Sequence, residues 1–288
     1  MQARHIQLRQ YQELIAGTDV ASIEIHPEEL RIVTRENISM AWQPEDLRTA
    51  PNILVDYGVY EPEESPFLLD AATGAHVVFD IGANTGFYSL HWVSRMAPGG
   101  SIHAFEPVPS TYAWLVRNVA LNELEGVIRA NNFGIGDEVK TISIFLPEFS
   151  GSGAASIKNL HPEEKSIEVE AKIDTLDHYF PTTNLTRLDL MKVDVEGAEL
   201  FVLKGGRETL ARHKPLLFME LLRKWSKPFG YHPNDAIALL GELGYRCYAL
   251  EGERLVRFHT MTDETVQTNF FFAHPEKHQN WLAANDLA

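Results

Sequence analysis

Cysteine is almost absent: Cys247 is the single one in 288 residues. An intrachain disulfide framework and a cysteine-rich zinc site are therefore excluded, and a reducing compartment is suited. Long apolar runs are missing too. Runs such as residues 216–219 and 270–273 fall far short of the roughly 20 residues needed to cross a bilayer. The N-terminal Met1-Gln2-Ala3-Arg4-His5 has none of the apolar character of a secretory signal. No membrane insertion and a cytoplasmic location are expected. Basic residues are scarce, 25 Lys and Arg against 40 Asp and Glu, for a formal charge of −15. Such a body is a poor partner for nucleic acid or anionic lipid, where neutralising phosphate dominates affinity.

The remaining composition, 44% hydrophobic and 23% charged, is that of an ordinary globular chain. Residues 1–58 read as an extension, with an amphipathic helix over 6–15 and a small hairpin from 22–25 and 30–33. Its expected role is that of a lid or of self-association as a homodimer. Residues 59–288 read as the main domain. Strands at 77–79, 102–105 and 127–130 alternate with helices over 87–96 and 110–121, the rhythm of a parallel sheet covered on both faces. An antiparallel pair, 141–146 and 167–173, interrupts it across a Gly/Ser/Ala-rich loop, 149–156. The alternation resumes with strands at 188–193 and 215–220, helices over 198–211 and 234–243, and closing strands at 245–250 and 268–273. About seven strands make one doubly wound α/β sheet.

Asp80-Ile81-Gly82-Ala83-Asn84-Thr85-Gly86-Phe87 stands where a strand gives way to a helix, the place where open α/β sheets bind ligands. Glycines there allow close approach to a ligand. The spacing is not the dinucleotide pattern G-x-G-x-x-G, and the leading acid would repel a pyrophosphate while favouring a cationic ligand. Glu106 ends the next strand, 20 residues beyond Gly86, where an acid can accept from ribose hydroxyls. Asp194 and Glu196 sit at a third strand end, in Met191-Lys192-Val193-Asp194-Val195-Glu196-Gly197, able to orient a hydroxyl or take its proton. His232, on the segment following Glu220, is a second candidate base. Asp194, Glu196 and Glu220 together would make an oxygen site acceptable to Mg²⁺, but the favoured reading has no metal.

Four blocks together resemble the FkbM family of S-adenosylmethionine-dependent methyltransferases: residues 80–89, Ala104-Phe105-Glu106-Pro107, Ile173-Asp174-Thr175-Leu176 and residues 191–200. Tyr60-Glu61-Pro62 is similar to the family's segment before the glycine loop. The resemblance implies a seven-stranded, Rossmann-like class I methyltransferase sheet whose last strand is antiparallel. It implies methyl transfer from S-adenosylmethionine to a hydroxyl of a sugar, glycan, lipid or natural product. By matching position, Asp80, Gly82, Asn84 and Gly86 would line the methionine end and Glu106 would hold the ribose. Asp194 and Glu196 would lie by the transferring methyl, and residues 130–137 would flank the adenine. Tyr60, Glu61, Phe87 and Pro107 fall in the matching blocks and join the expected cofactor site. The alternatives are an NAD-dependent oxidoreductase, which the missing G-x-G-x-x-G disfavours, and a non-catalytic cofactor-binding module.

Overall fold

The computed structural model describes residues 3–148, 151–160 and 162–287. At the N-terminus, helix α1 (Ala3–Leu14) leaves Ile6, Leu8, Tyr11 and Leu14 exposed. The expected hairpin forms as β1 (Val20–Ile25) and β2 (Leu30–Thr34), and a third strand, β3 (Ser39–Trp42), extends it. Two short helices without counterpart in the sequence reading follow, α2 (Ala50–Tyr57) and α3 (Ser65–Asp70). Pro51 in the first turn of α2 and Gly58 just after it, at φ 81°, mark its two ends.

The main sheet begins with β4 (Val77–Ile81), α4 (Phe87–Trp92), β5 (Ser101–Phe105), α5 (Pro109–Leu121) and β6 (Ile128–Asn131). A side sheet of β7 (Gly134–Ile135), β8 (Lys140–Pro147) and β9 (Ser166–Asp174) contains the expected antiparallel pair. Of the loop between them, residues 149 and 150 lie outside the described part, and Ser152–Ala154 form a 3₁₀ turn. After α6 (Leu176–Thr182) and β10 (Leu190–Val193), the helix expected over 198–211 is two helices, α7 (Glu199–Lys204) and α8 (Arg207–His213). The break falls at Gly205-Gly206, where a Cβ on Gly205 would lie 1.9 Å from the Gly136 carbonyl oxygen. The chain ends with β11 (Leu216–Glu220), α9 (Arg223–Ser226), α10 (Pro233–Glu242), β12 (Arg246–Glu251), β13 (Arg254–Phe258), β14 (Asn269–Ala273) and α11 (Gln279–Ala284).

The strand order is β13-β12-β14-β11-β10-β4-β5-β6. Strands β11, β10, β4, β5 and β6 are mutually parallel and β14 runs antiparallel to β11. The doubly wound class I arrangement is thus present, with one strand more than expected. That strand, β13, folds back on β12 through a turn at Gly252 and makes the sheet eight-stranded. Alternate residues of each strand feed two cores, as the two-residue period of a pleated strand requires. Val78, Leu190, Phe218 and Phe271 face one, and Phe79, Met191, Leu217 and Phe272 face the other. Val20, Ile32, Met40 and Leu54 of the N-terminal segment join the first of these cores. Asn118 of α5 accepts from Ala41 N–H at 2.7 Å and fixes β3 on that helix. No helix among the described residues is long and apolar enough to cross a membrane.

Candidate active site

Strand order reverses between β4 and β10: β5 and β6 lie on one side of β4, and β10 and β11 on the other. A crevice opens at the carboxyl ends of the strands at such a point. Here it is a cavity of about 460 Å³, lined among others by Gly82, Asn84, Glu106, Lys192, Asp194, Glu196 and Glu220.

The glycine loop is shaped by contact with β10. Gly82 has φ 82°, and a Cβ there would lie 1.8 Å from the Asp194 carbonyl oxygen, so no other residue fits. Gly86, at φ 91°, starts α4 and packs on Leu115. Asn84 takes a left-handed φ of 49°, and its N–H donates to Glu106 Oε2 at 3.1 Å. Val108 N–H holds the other oxygen of Glu106 at 2.9 Å. Burial pushes this carboxyl up to about 7, since a carboxylate loses more solvation than the neutral acid.

Asp80 is placed differently from the expectation that it lines the methionine end. It is 1% exposed and is not among the cavity-lining residues. Ser89 Oγ donates to its Oδ2 at 2.6 Å, and its Oδ1 faces Lys192 Nζ at 3.9 Å. Lys192 Nζ also donates to Asp194 Oδ2 at 2.9 Å. Burial alone would lower the Lys192 pKa, but Asp194 and Asp80 outweigh it and hold the ammonium above its usual range. This buried cation escaped the sequence reading. A lone Lys in the otherwise apolar strand 190–193, buried on both faces, was its available signal.

Asp194, Glu196 and Glu220 each bring a carboxylate oxygen within 4.8 Å of the others. Burial first, then the neighbouring Asp194, pushes Glu196 up to about 8 and raises Glu220 well above the carboxylate range. Such a group of oxygens can share protons, face a cationic ligand or hold a hard metal ion. Glu196 has φ 50° and Gly197 φ 97°, and Glu199 stabilises this bent segment. Its Oε1 accepts from Gly197 N–H at 3.0 Å and its Oε2 from Tyr231 OH at 3.0 Å. Glu199 is buried at 2% exposure, a structural group within the fold.

The upstream segment supplies one wall. Tyr60 packs against Phe87 with ring centroids 4.3 Å apart and the rings tilted by 42°, and Tyr88 OH donates to Glu61. Tyr60, Glu61, Phe87 and Pro107 all line the cavity, as do Gly134 and Ile135 from the segment expected near the adenine. Gly86 does not; it acts through the turn. Leu47, Arg48, Ile53 and Tyr57, unforeseen from the sequence, line the cavity as well. His232 is not brought to the site. It is exposed, caps α10 by accepting from Asn234 N–H at 3.2 Å, and completes a capping box with Asp235. The pattern of His232-Pro233 with an acid three residues after the cap signals such a helix start, so the base role expected of it is replaced by capping.

The reversed strand order, the glycine loop and acids on flanking strand ends define a Rossmann-like ligand-binding domain. The sequence profile of the methyltransferase FkbM domain matches residues 80–247. The chain belongs to the FkbM methyltransferase family and is an S-adenosylmethionine-dependent methyltransferase, which sets aside the nicotinamide and non-catalytic alternatives. Methyltransferase sdnD of Sordaria araneosa is 32% identical over 220 residues, 66% of this chain and 77% of that protein. The hexuronic acid methyltransferase AglP of Haloferax volcanii is 25% identical, over 73% of this chain and 75% of that one. The 31-O-demethyl-FK506 methyltransferase FkbM of Streptomyces tacrolimicus is 26% identical, and the match spans 45% of this chain and only 58% of that protein. A crystal structure of methyltransferase FkbM from Methylobacillus flagellatus KT gives a TM-score of 0.44 at 17% identity, covering 69% of this chain and 44% of that one. The chain's own strand order carries the fold assignment.

Proposed function

We propose that this enzyme is an O-methyltransferase acting on a hydroxyl of a small-molecule or glycan acceptor. The observation that carries this reading is the carboxylate group of Asp194, Glu196 and Glu220, within 4.8 Å of one another on a cavity that also holds Glu106. Glu106 ends β5 and Glu220 ends β11, three strands away, or about 14 Å by ordinary strand spacing. That span suits an extended nucleoside ligand, with Glu106 accepting from the ribose hydroxyls. S-Adenosylmethionine supplies an activated methyl on a cationic sulfur, and an acidic cavity favours that charge.

An alcohol is a weak nucleophile until it is oriented and its proton has somewhere to go. Asp194, side chain 31% exposed and fixed by Lys192, is the group we assign to orient the acceptor hydroxyl and take its proton. Glu196, with its carboxyl pushed up to about 8, largely holds its own proton near neutral pH and serves as a hydrogen-bond donor beside Asp194, which takes the acceptor's proton. The Lys192 ammonium already neutralises Asp194, and a divalent cation beside it would be repelled, so we read the cluster as handling protons. The outer wall includes Leu47 and Tyr57, 54% and 78% exposed, an apolar surface suited to the body of an acceptor. Two relatives, named for 31-O-demethyl-FK506 and for hexuronic acid, agree with a hydroxylated acceptor.

The test is methyl transfer to a panel of alcohols, sugars and amines, read as S-adenosylhomocysteine formed, with and without EDTA. Asp194→Asn should lower kcat at least about 100-fold with cofactor affinity changed less than about threefold. Transfer to amines alone, or a fully active Asp194→Asn, would overturn the reading.

A further inference from the structure

Two segments remote in sequence meet over the cavity. One is the turn before α2, which carries Asp46, Leu47 and Arg48. The other is the strap of residues 151–156, which follows β8. Asp46 Oδ1 accepts from Ser152 N–H at 3.0 Å. Glycines make the approach possible. A Cβ on Gly151, at φ 67°, would lie 2.1 Å from Asp46 Oδ1, and one on Gly153 would lie 2.7 Å from Arg48 Cβ and 2.9 Å from its carbonyl oxygen. The strap is tied to both halves of the site below. Asn84 Nδ2 of the glycine loop donates to Ser152 Oγ at 3.4 Å, and Ser156 Oγ donates to the Glu196 carbonyl at 2.9 Å. Leu47, Arg48, Ser152, Gly153 and Ser156 all line the cavity.

We infer that Asp46 is a positioning residue, whose carboxylate fastens the 151–156 strap across the cofactor cavity and thereby slows release of the adenosyl ligand. The N-terminal segment gains a task through it: one side of the cavity's cover is its own, and Asp46 ties that side to the strap, whose far end is anchored separately by Ser156 on the Phe145 backbone and the Glu196 carbonyl. The backbone around Asp46 is secured separately, since its carbonyl accepts from Thr49 Oγ1 at 3.0 Å and Asn52 Nδ2 at 2.7 Å. Removing the carboxylate therefore loosens the strap and leaves the start of α2 in place. The inference rests on the cofactor site and is independent of which acceptor is methylated.

The experiment compares wild type, Asp46→Ala, Asp46→Asn and Gly153→Ala. S-Adenosylhomocysteine dissociation is measured by stopped flow, and amide exchange at Ser152 is measured in ligand-free protein. Loss of one hydrogen bond to a charged group should speed dissociation about tenfold in Asp46→Ala, and Ser152 exchange by a similar factor. Asp46→Asn keeps an acceptor oxygen and should stay within about threefold of wild type. Gly153→Ala approaches from the strap side, leaves Asp46 intact and should also speed dissociation. Unchanged dissociation in Asp46→Ala would overturn the inference, whatever Gly153→Ala does. So would an Asp46→Asn protein as leaky as Asp46→Ala. Failure of wild type to bind S-adenosylhomocysteine at all would instead count against the cofactor site itself.

Discussion

Lys192 Nζ stands 2.9 Å from Asp194 Oδ2 and 3.9 Å from Asp80 Oδ1, one buried cation between two acids that end neighbouring strands. The glycine loop lies over it, with the Gly82 carbonyl accepting from the same ammonium at 3.4 Å. This pairing links the glycine loop after β4 to the acidic segment after β10 and fixes both at once.

Lys192→Met would leave Asp80 and Asp194 without their counter-charge. Removing one partner of a buried ion pair costs about 3–5 kcal/mol. Asp194 is partly exposed and Asp80 can take up a proton, so the expected loss lies near the lower end. Urea denaturation at pH 7 measures it, and a loss under about 1 kcal/mol would show that Lys192 is not needed as a counter-ion.

Gly82→Ala puts a Cβ within 1.8 Å of the Asp194 carbonyl at a positive φ. Either β4 and β10 separate or the loop re-forms. The expected outcome is a loss of about 3 kcal/mol or more, together with loss of S-adenosylhomocysteine binding. A variant of wild-type stability that still binds would refute the close contact.

Stability should fall as pH rises from about 6.5 to about 8. Burial pushes the carboxyls of Glu106 and Glu199 up to about 7 and that of Glu196 up to about 8, from an ordinary 4.5. In this window the unfolded chain has already released these protons and the folded protein still holds some, so raising pH favours unfolding. Below 6.5 the buried His103 and the half-buried His278, both pushed down to about 4 by desolvation, act in the opposite sense. Urea midpoints at pH 6.5, 7.2 and 8 measure the trend in ligand-free protein, and Glu106→Gln should flatten it. A midpoint that climbs across this range would contradict the burial of these acids.

The loop from Asp80 to Gly86, Glu106 at the end of β5 and the acids after β10 were legible because glycines and carboxylates at strand ends are local signals. What the sequence concealed depended on tertiary partners. Lys192 gains its meaning from Asp80, more than a hundred residues away, and no local pattern announces that pairing. The N-terminal wall of the cavity was hidden in the same way, since Arg48 and Tyr57 reach the site only through the packing of β3 and α2 against the main domain. Other misses had local cues. Gly252 between Glu251 and Glu253 marks the turn that adds β13, Gly205-Gly206 marks the break between α7 and α8, and Pro233 with Asp235 marks His232 as a cap.

The most direct measurement is calorimetric titration of wild type and Glu106→Ala with S-adenosylhomocysteine, with NAD as the control. Micromolar binding to wild type, at least about tenfold weaker in Glu106→Ala and absent for NAD, is the expected result. Equal binding to both proteins would remove Glu106 from the ribose site. No binding to well-folded wild type would contradict the placing of the cofactor in this cavity.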